Sequence, residues 1–189
     1  GKATAVLLAR QGAKVFGTDI NPAAVEETRA IIVKEGGVCF TTTCDMTDSD
    51  SVKKSVDACL EHFGRIDILI NNAGALVQRV PIEEITDELF DHVLYLNVRS
   101  AMMCTAAAVA HMRRQGHGGS VINVTSVAAR HGGAAGAALY AGSKGFVSTM
   151  THGLAKELVK DKIRVNAVSP GVITTPFHER FSTPQMLEG

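Results

Sequence analysis

The sequence predicts an α/β fold built on a parallel sheet with helices on both faces, and three observations carry that prediction. Short apolar runs alternate with amphipathic helical stretches along the chain, the pattern of βαβ units. No internal repeat or low-complexity linker interrupts them. The length of 189 residues allows one sizeable core and is short for two ordinary domains, so the chain reads as one domain, 1–189.

Each element has a local reason. Lys2 to Gln11 reads as a helix already under way, closed by Gly12. Lys14 to Asp19 is a strand ending in an acid. Asn21 caps the next helix with Pro22 at its first position, and Gly36-Gly37 stops it. Val38 to Cys44 is a strand. The helix opening at Thr47-Asp-Ser-Asp50 repeats Val52, Val56, Cys59, Leu60 and Phe63 at helical spacing. Ile68 to Asn72 is a strand. Thr86 caps a long helix with Asp87 and Glu88 in its first turn. Leu89, Phe90, Val93, Leu94 and Ala101 mark the buried face of that helix, and Asn97 falls on it. Ser120 to Thr125 is a buried strand, followed by a glycine- and alanine-rich loop and a further helix. Ile163 to Val168 is the last clear strand.

Composition excludes several classes. Nineteen basic and nineteen acidic residues cancel, which leaves no electrostatic footprint for nucleic acid or an anionic membrane. The Arg113-Arg114 pair suits a solvated helix end. No apolar run reaches the length needed to span a bilayer, so a soluble, cytoplasmic protein is expected. The four cysteines form no CxxC pair and have no metal-spaced histidine, so no metal site is expected and a reducing compartment fits. Asn123-Val-Thr125 is a glycosylation sequon inside an apolar strand, which argues against its use.

The chemistry concentrates at Tyr140-Ala-Gly-Ser-Lys144. Residues four apart share a helix face, so phenol and ammonium point the same way. A cation against a tyrosine favours the phenolate and lowers its pKa, which suits proton exchange with an alcohol or carbonyl near neutral pH. Four more features stand upstream in order: Asp19 at a strand end, Asn71-Asn-Ala-Gly74, Asn97 in the long helix and Ser126 after a strand. Pro170-Gly-Val-Ile-Thr-Thr175 follows.

This ordered set resembles the classical short-chain dehydrogenase/reductase family, from Gly1 to about Phe177. The resemblance implies a Rossmann-like doubly wound sheet. It makes Gly1 the last glycine of a TGxxxGxG turn, eighteen residues before Asp19, so both ends of the chain, with the first and last strands, are expected to be missing from it. Loss of a central strand would leave a hole between two neighbours.

By the same resemblance, Asp19 accepts from the ribose hydroxyls of NAD and disfavours NADP, Ile20 lies beside it, and Asp45-Met46 contacts adenine. Asp19 as a helix cap and Asp45 as a turn acid are the bland alternatives. Asn72, Ala73 and Gly74 line the adenosine-ribose side, with Asn71 mainly structural. Pro170, Gly171, Ile173 and Thr175 form the nicotinamide-side loop. Asn97 bends its helix and holds a water linked to Lys144, or else satisfies a helix carbonyl. Ser126 donates to the substrate oxygen, with Thr125 the fallback hydroxyl.

The implied reaction is NAD-dependent interconversion of a secondary alcohol and a ketone. Tyr140 is the acid–base and Lys144 its support; sugars, polyols or 3-oxoacyl thioesters are the candidate substrates. Ala75, Leu76, Gln78, Arg130, His131, Leu139 and His178 to Phe181 would line the pocket. A homotetramer is expected from close helix approach at Ala106 to Ala108 and Gly142 to Gly145. The rival readings are an inactive fragment that associates edge to edge and an NAD-binding regulator without catalysis.

Overall fold

The computed structural model describes residues 1–173, in which five strands and the helices around them appear in the expected order. Helix α1 (Lys2–Arg10) leads to β1 (Val15–Asp19) and α2 (Pro22–Lys34). Asn21 caps α2, its Oδ1 accepting from the amides of Ala23 and Ala24 at 2.9 and 3.4 Å. Strand β2 (Cys39–Thr43) precedes α3 (Ser49–Phe63), which Asp48 caps and Gly64 ends in the left-handed region. Strand β3 (Ile68–Asn71) is followed by α4 (Asp87–Leu94), a π turn at Tyr95–Arg99, and α5 (Ser100–Gln115). Then come β4 (Gly119–Val124), the short α6 (Ala128–His131), α7 (Ala138–Glu157) and β5 (Ile163–Val168).

All strand pairs are parallel. β1 pairs with β2, aligning Asp19 with Thr43, and β3, β4 and β5 form a second sheet in that order. Among the described residues, β1 and β3 are not hydrogen-bonded to each other. On the β1–β2 pair, Val15 and Cys39 pack on Val6 of α1 and Ile32 of α2. Its other face sets Phe40 against α3, stacked on His62 with centroids 4.0 Å apart. In the second sheet, Val121 and Val165 bury against Val56 of α3 and Ala108, Val109 and Met112 of α5.

Three expectations need correction. Phe90 is 44% exposed. The buried stripe steps by four residues through Val93, Asn97 and Ala101, so its backward extension meets Leu89 and leaves Phe90 beside it. The second concerns the membrane: α4, the π turn and α5 form one 29-residue helix, Asp87–Gln115, long and apolar enough to cross a bilayer. Its apolar stripe instead packs inward, through Val93, Ala101, Cys104, Ala108, Val109 and Met112. Arg113 is also paired rather than simply solvated, with Asp161 at 2.8 Å and Glu157 at 3.6 Å.

Candidate active site

The strands of both sheets end on the same edge, and the singled-out residues collect there. Ser126 lies just past β4, and its Oγ accepts from the Ala128 amide at 3.2 Å, which starts α6. Helix α7 then returns Tyr140 to this point, where the Ser126 hydroxyl hydrogen-bonds the phenol. Thr125, the fallback, is buried and donates to the Val168 carbonyl at 3.2 Å, so its hydroxyl serves the β4–β5 junction. Lys144 sits one turn beyond Tyr140, its Nζ 5.9 Å from the ring centroid and donating to the Val124 carbonyl at 2.9 Å.

The proton energetics run against the expectation for the phenol. Burial pushes the Tyr140 pKa up, and the Ser126 hydrogen bond pulls it back only in part. Burial also lowers Lys144 to about 8. The ammonium donates to a backbone carbonyl, and desolvation outweighs the attraction between the pair.

Asn97 completes the cluster from the π turn. Its Nδ2 donates to the Val93 carbonyl at 3.0 Å, replacing a helix bond that the wider turn gives up, and to the Ala75 carbonyl at 2.9 Å. Its Oδ1 is buried and accepts nothing among the described residues. Gly74 explains the crowding here: a Cβ on it would meet Asn97 Oδ1 at 2.6 Å and Lys144 Nζ at 2.8 Å. Any side chain at position 74 would therefore drive these two groups apart.

Along the edge, Gly1 opens α1 beside Asn72, whose Oδ1 accepts from the terminal amine at 3.4 Å, and close enough to Asp19 to feel its charge. Asp19 is exposed, and its Oδ1 accepts from the Asn21 amide at 2.9 Å. The capping of α2 falls to Asn21, so the cap reading of Asp19 does not hold. Asp45 does act as a turn acid. Its Oδ1 accepts from the Thr47 hydroxyl at 2.7 Å and the Thr47 amide at 2.8 Å, which hold its pKa down. Ile20, Ala73, Gly171 and Ile173 are exposed and Pro170 is half-buried, its carbonyl accepting from the Val127 amide at 3.0 Å. Thr175 and the His178 to Phe181 segment lie outside the described residues.

Among the candidate pocket residues, Gln78, Arg130 and His131 are exposed, while Leu76 is 2% exposed and belongs to the interior. The chain there makes a three-residue turn, Gln78 N to Leu76 O at 2.9 Å, which forces Val77 to φ 68 and turns Leu76 inward. A β-branched residue with that φ is strained. Between Ser126 and Tyr140 the chain forms the short α6 and then turns through Gly132, Gly133 and Gly136, all with positive φ.

Beneath the cluster runs a polar chain that the sequence reading missed apart from Asn71. Asn71 Nδ2 donates to Thr105 Oγ1 of α5 at 2.9 Å and to Asn123 Oδ1 of β4 at 2.8 Å. Asn123 Nδ2 in turn donates to Thr151 Oγ1 of α7 at 2.9 Å. One signal pointed to it: Asn123, Thr105 and Thr151 are each polar residues on apolar faces. Asn123 is fully buried, which removes the sequon from consideration. Two open grooves on outer helix faces, one between α5 and α7 and one between α3 and α5, contain neither Tyr140 nor Lys144. The convergence of polar groups at the sheet edge, rather than surface concavity, identifies the site.

Known proteins resemble this chain in sequence and in fold. The family model described as short chain dehydrogenase matches residues 1–185. An uncharacterized oxidoreductase of Escherichia coli (strain K12), YgfF, is 37% identical over 187 residues, covering 97% of this chain and 76% of the relative. The 3-oxoacyl-[acyl-carrier-protein] reductase FabG of Thermotoga maritima is 38% identical over 184 residues, covering 95% of this chain and 72% of its own. The crystal structure of an NAD+-bound xylitol dehydrogenase superimposes with a TM-score of 0.89 at 34% identity, over 94% of this chain and 67% of that one. The chain thus spans roughly two thirds to three quarters of the length of such relatives. Sequence and fold together place this chain in the short-chain dehydrogenase family of oxidoreductases.

Proposed function

We propose that the chain is the NAD(H)-binding, catalytic part of an oxidoreductase that interconverts a secondary alcohol and a ketone. The observation that carries the reading is the meeting of Ser126, Tyr140, Lys144 and Asn97 at one sheet edge. A crevice outside the carboxyl ends of parallel strands is where α/β folds take ligands. Gly74, whose missing Cβ keeps Lys144 and Asn97 within reach, and the orphaned Asn97 Oδ1 fit a site built around a ligand and a water. Gly1 at the start of α1, exposed Asp19 with Ile20, Asp45-Met46, Asn72-Ala-Gly74 and the Pro170 to Ile173 loop would hold the dinucleotide. When bound, its nicotinamide supplies hydride acceptance and donation.

The chain's own residues supply positioning and a proton path. Ser126 donates to the substrate oxygen, and Tyr140 takes the hydroxyl proton or returns it. Burial holds the phenol high, and a positive charge in the crevice beside Lys144 would favour its ionisation. Asn97 Oδ1 anchors a water that passes the proton on past Lys144. Asp19 favours NAD over NADP, because a carboxylate accepts from ribose hydroxyls and repels a phosphate.

Sugars, polyols and 3-oxoacyl thioesters are the proposed substrate classes, in keeping with the names of the relatives. The four free cysteines suit a reducing, cytoplasmic setting. The groove of about 230 Å³ between α5 and α7, lined by Ala106, Val109 and Leu154 among others, supports self-association into a homo-oligomer, a tetramer by resemblance.

Tyr140→Phe tests the reading. Turnover of an alcohol panel should fall about 10²–10⁴-fold while dinucleotide affinity, read by NADH fluorescence, stays within a few-fold. An undiminished rate would remove Tyr140 from the mechanism. Asp19→Ala should move the ratio of kcat/KM values toward NADP.

A further inference from the structure

Away from that cluster, three sulfurs meet beneath the turn that follows β2. Cys44 is 1% exposed and Cys104, on α5, is 7% exposed. Both thiols donate to one thioether: Cys44 Sγ to Met46 Sδ at 3.9 Å, and Cys104 Sγ to Met46 Sδ at 3.6 Å. From the first turn of α3, Ser51 Oγ donates to Cys44 Sγ at 3.4 Å. Val52, Leu69 and Met103 pack around the trio.

We propose that Cys44, Met46 and Cys104 form a binding site for one soft monovalent cation, Cu(I). A metal–sulfur bond of roughly 2.3 Å in a planar three-sulfur centre sets sulfur–sulfur separations of roughly 4 Å. The separations of Met46 Sδ from Cys44 Sγ and Cys104 Sγ, 3.9 and 3.6 Å, stand close to that without rearrangement of the backbone. Thiolate and thioether ligands select Cu(I) over harder cations. Among the described residues no group of three or more His, Cys, Asp or Glu could hold a metal ion, so a hard or borderline cation finds no competing ligand set.

Binding replaces the two thiol protons that now point at Met46. Both protons leave to solvent, two copper–thiolate bonds and one copper–thioether contact form, and no electron is transferred. The resulting centre carries one negative charge, which the Ser51 hydroxyl partly offsets at Cys44. The cation's route is the groove of about 360 Å³ between α3 and α5, because Val52 and Met103 line both that groove and the trio. Met46 belongs to the turn that would also hold the dinucleotide, so copper binding is tested on cofactor-free protein.

The test is titration of reduced, metal-free protein with Cu(I) under anaerobic conditions, in competition with the chelator bicinchoninate. One equivalent should be retained, with thiolate-to-copper absorption in the near ultraviolet. Cys44→Ser and Cys104→Ser should each weaken retention by more than the roughly 10–100-fold that loss of a supporting contact costs. Met46→Leu, which conserves volume, should weaken it about tenfold. Cys59→Ser should leave it unchanged. Circular dichroism of each variant separates loss of fold from loss of a ligand. No retained copper in the parent protein overturns the proposal, as does retention that survives Cys44→Ser and Cys104→Ser but not Cys59→Ser. If the cysteine variants do not fold, unchanged affinity in Met46→Leu overturns it alone.

Discussion

The two sheets of this molecule are held in different ways. In the β3–β4–β5 half, Asn71, Thr105, Asn123 and Thr151 bond strand to strand and strand to helix, and Val121, Ala108 and Met112 are fully buried beside them. In the β1–β2 half no residue of β1 is fully buried, and Phe40 of β2 is 39% exposed. The first half fixes Ser126, Tyr140, Lys144 and Asn97 relative to one another. The second carries Asp19 and the Asp45-Met46 turn, which serve the dinucleotide in the proposed reading. The contrast teaches that, in the proposed reading, proton chemistry sits on the over-determined part of the fold, where a fraction of an ångström matters. The proposed cofactor contacts sit on the part with fewer buried constraints, where local opening is easier.

The surest way to break this contrast is Asn123→Ala. It removes the bonds that Asn123 makes to Asn71 and Thr151 and leaves a cavity, at an expected cost of roughly 3 kcal/mol in denaturant unfolding. Amide exchange should speed up through β3, β4 and β5 while the β1–β2 amides change little. Equal loss of protection in both halves would show that they open as one unit.

Lys144→Met probes the strain stored at the site. The folded pKa of Lys144 lies near 8, below the ordinary 10.5, so burying its charge costs stability in full below pH 8. Between pH 8 and 10.5 the unfolded chain still holds a proton that the folded protein has released, so stability rises with pH there. The variant lacks that rise. Between pH 7 and pH 10 the wild type should therefore gain on the order of 1–3 kcal/mol relative to Lys144→Met, measured by urea unfolding at each pH. A constant difference would mean that the ammonium is not desolvated.

The smallest expected effect belongs to Val77→Gly. Relief of the positive φ is worth about 1–3 kcal/mol. It is offset by about 0.5–1 kcal/mol of added unfolded-state entropy, leaving a net gain near 1 kcal/mol in thermal or denaturant unfolding. A loss of stability would show that Val77 packing outweighs its strain.

Much of the site was legible beforehand because its signals are local. Asp19, Ser126 and the Tyr140–Lys144 pair sit at strand ends or one helical turn apart, which numbering alone reveals. Asn97 stood out as a polar residue on an apolar stripe. The Asn123 chain was harder, since it links residues 28, 34 and 52 positions apart that reveal their pairing only in three dimensions. Phe90 and Leu76 were misplaced for a related reason: periodicity gives a face only to within a neighbouring residue, and a strained turn can rotate a side chain inward. The sulfur trio was invisible because Met46 and Cys104 lie 58 positions apart.

Sequence alone determined the alternation of strands and helices, the helix caps at Asn21 and Thr86, and the ordered set of residues that carries the family resemblance. These depend on neighbours within a few positions, where backbone geometry leaves few choices. Only the tertiary structure decided which hydroxyl, Ser126 or Thr125, meets Tyr140, and why position 74 must be glycine. It also decided the sign of the proton energetics. Desolvation depends on everything packed around a group, and that is a property of the folded interior rather than of spacing along the chain.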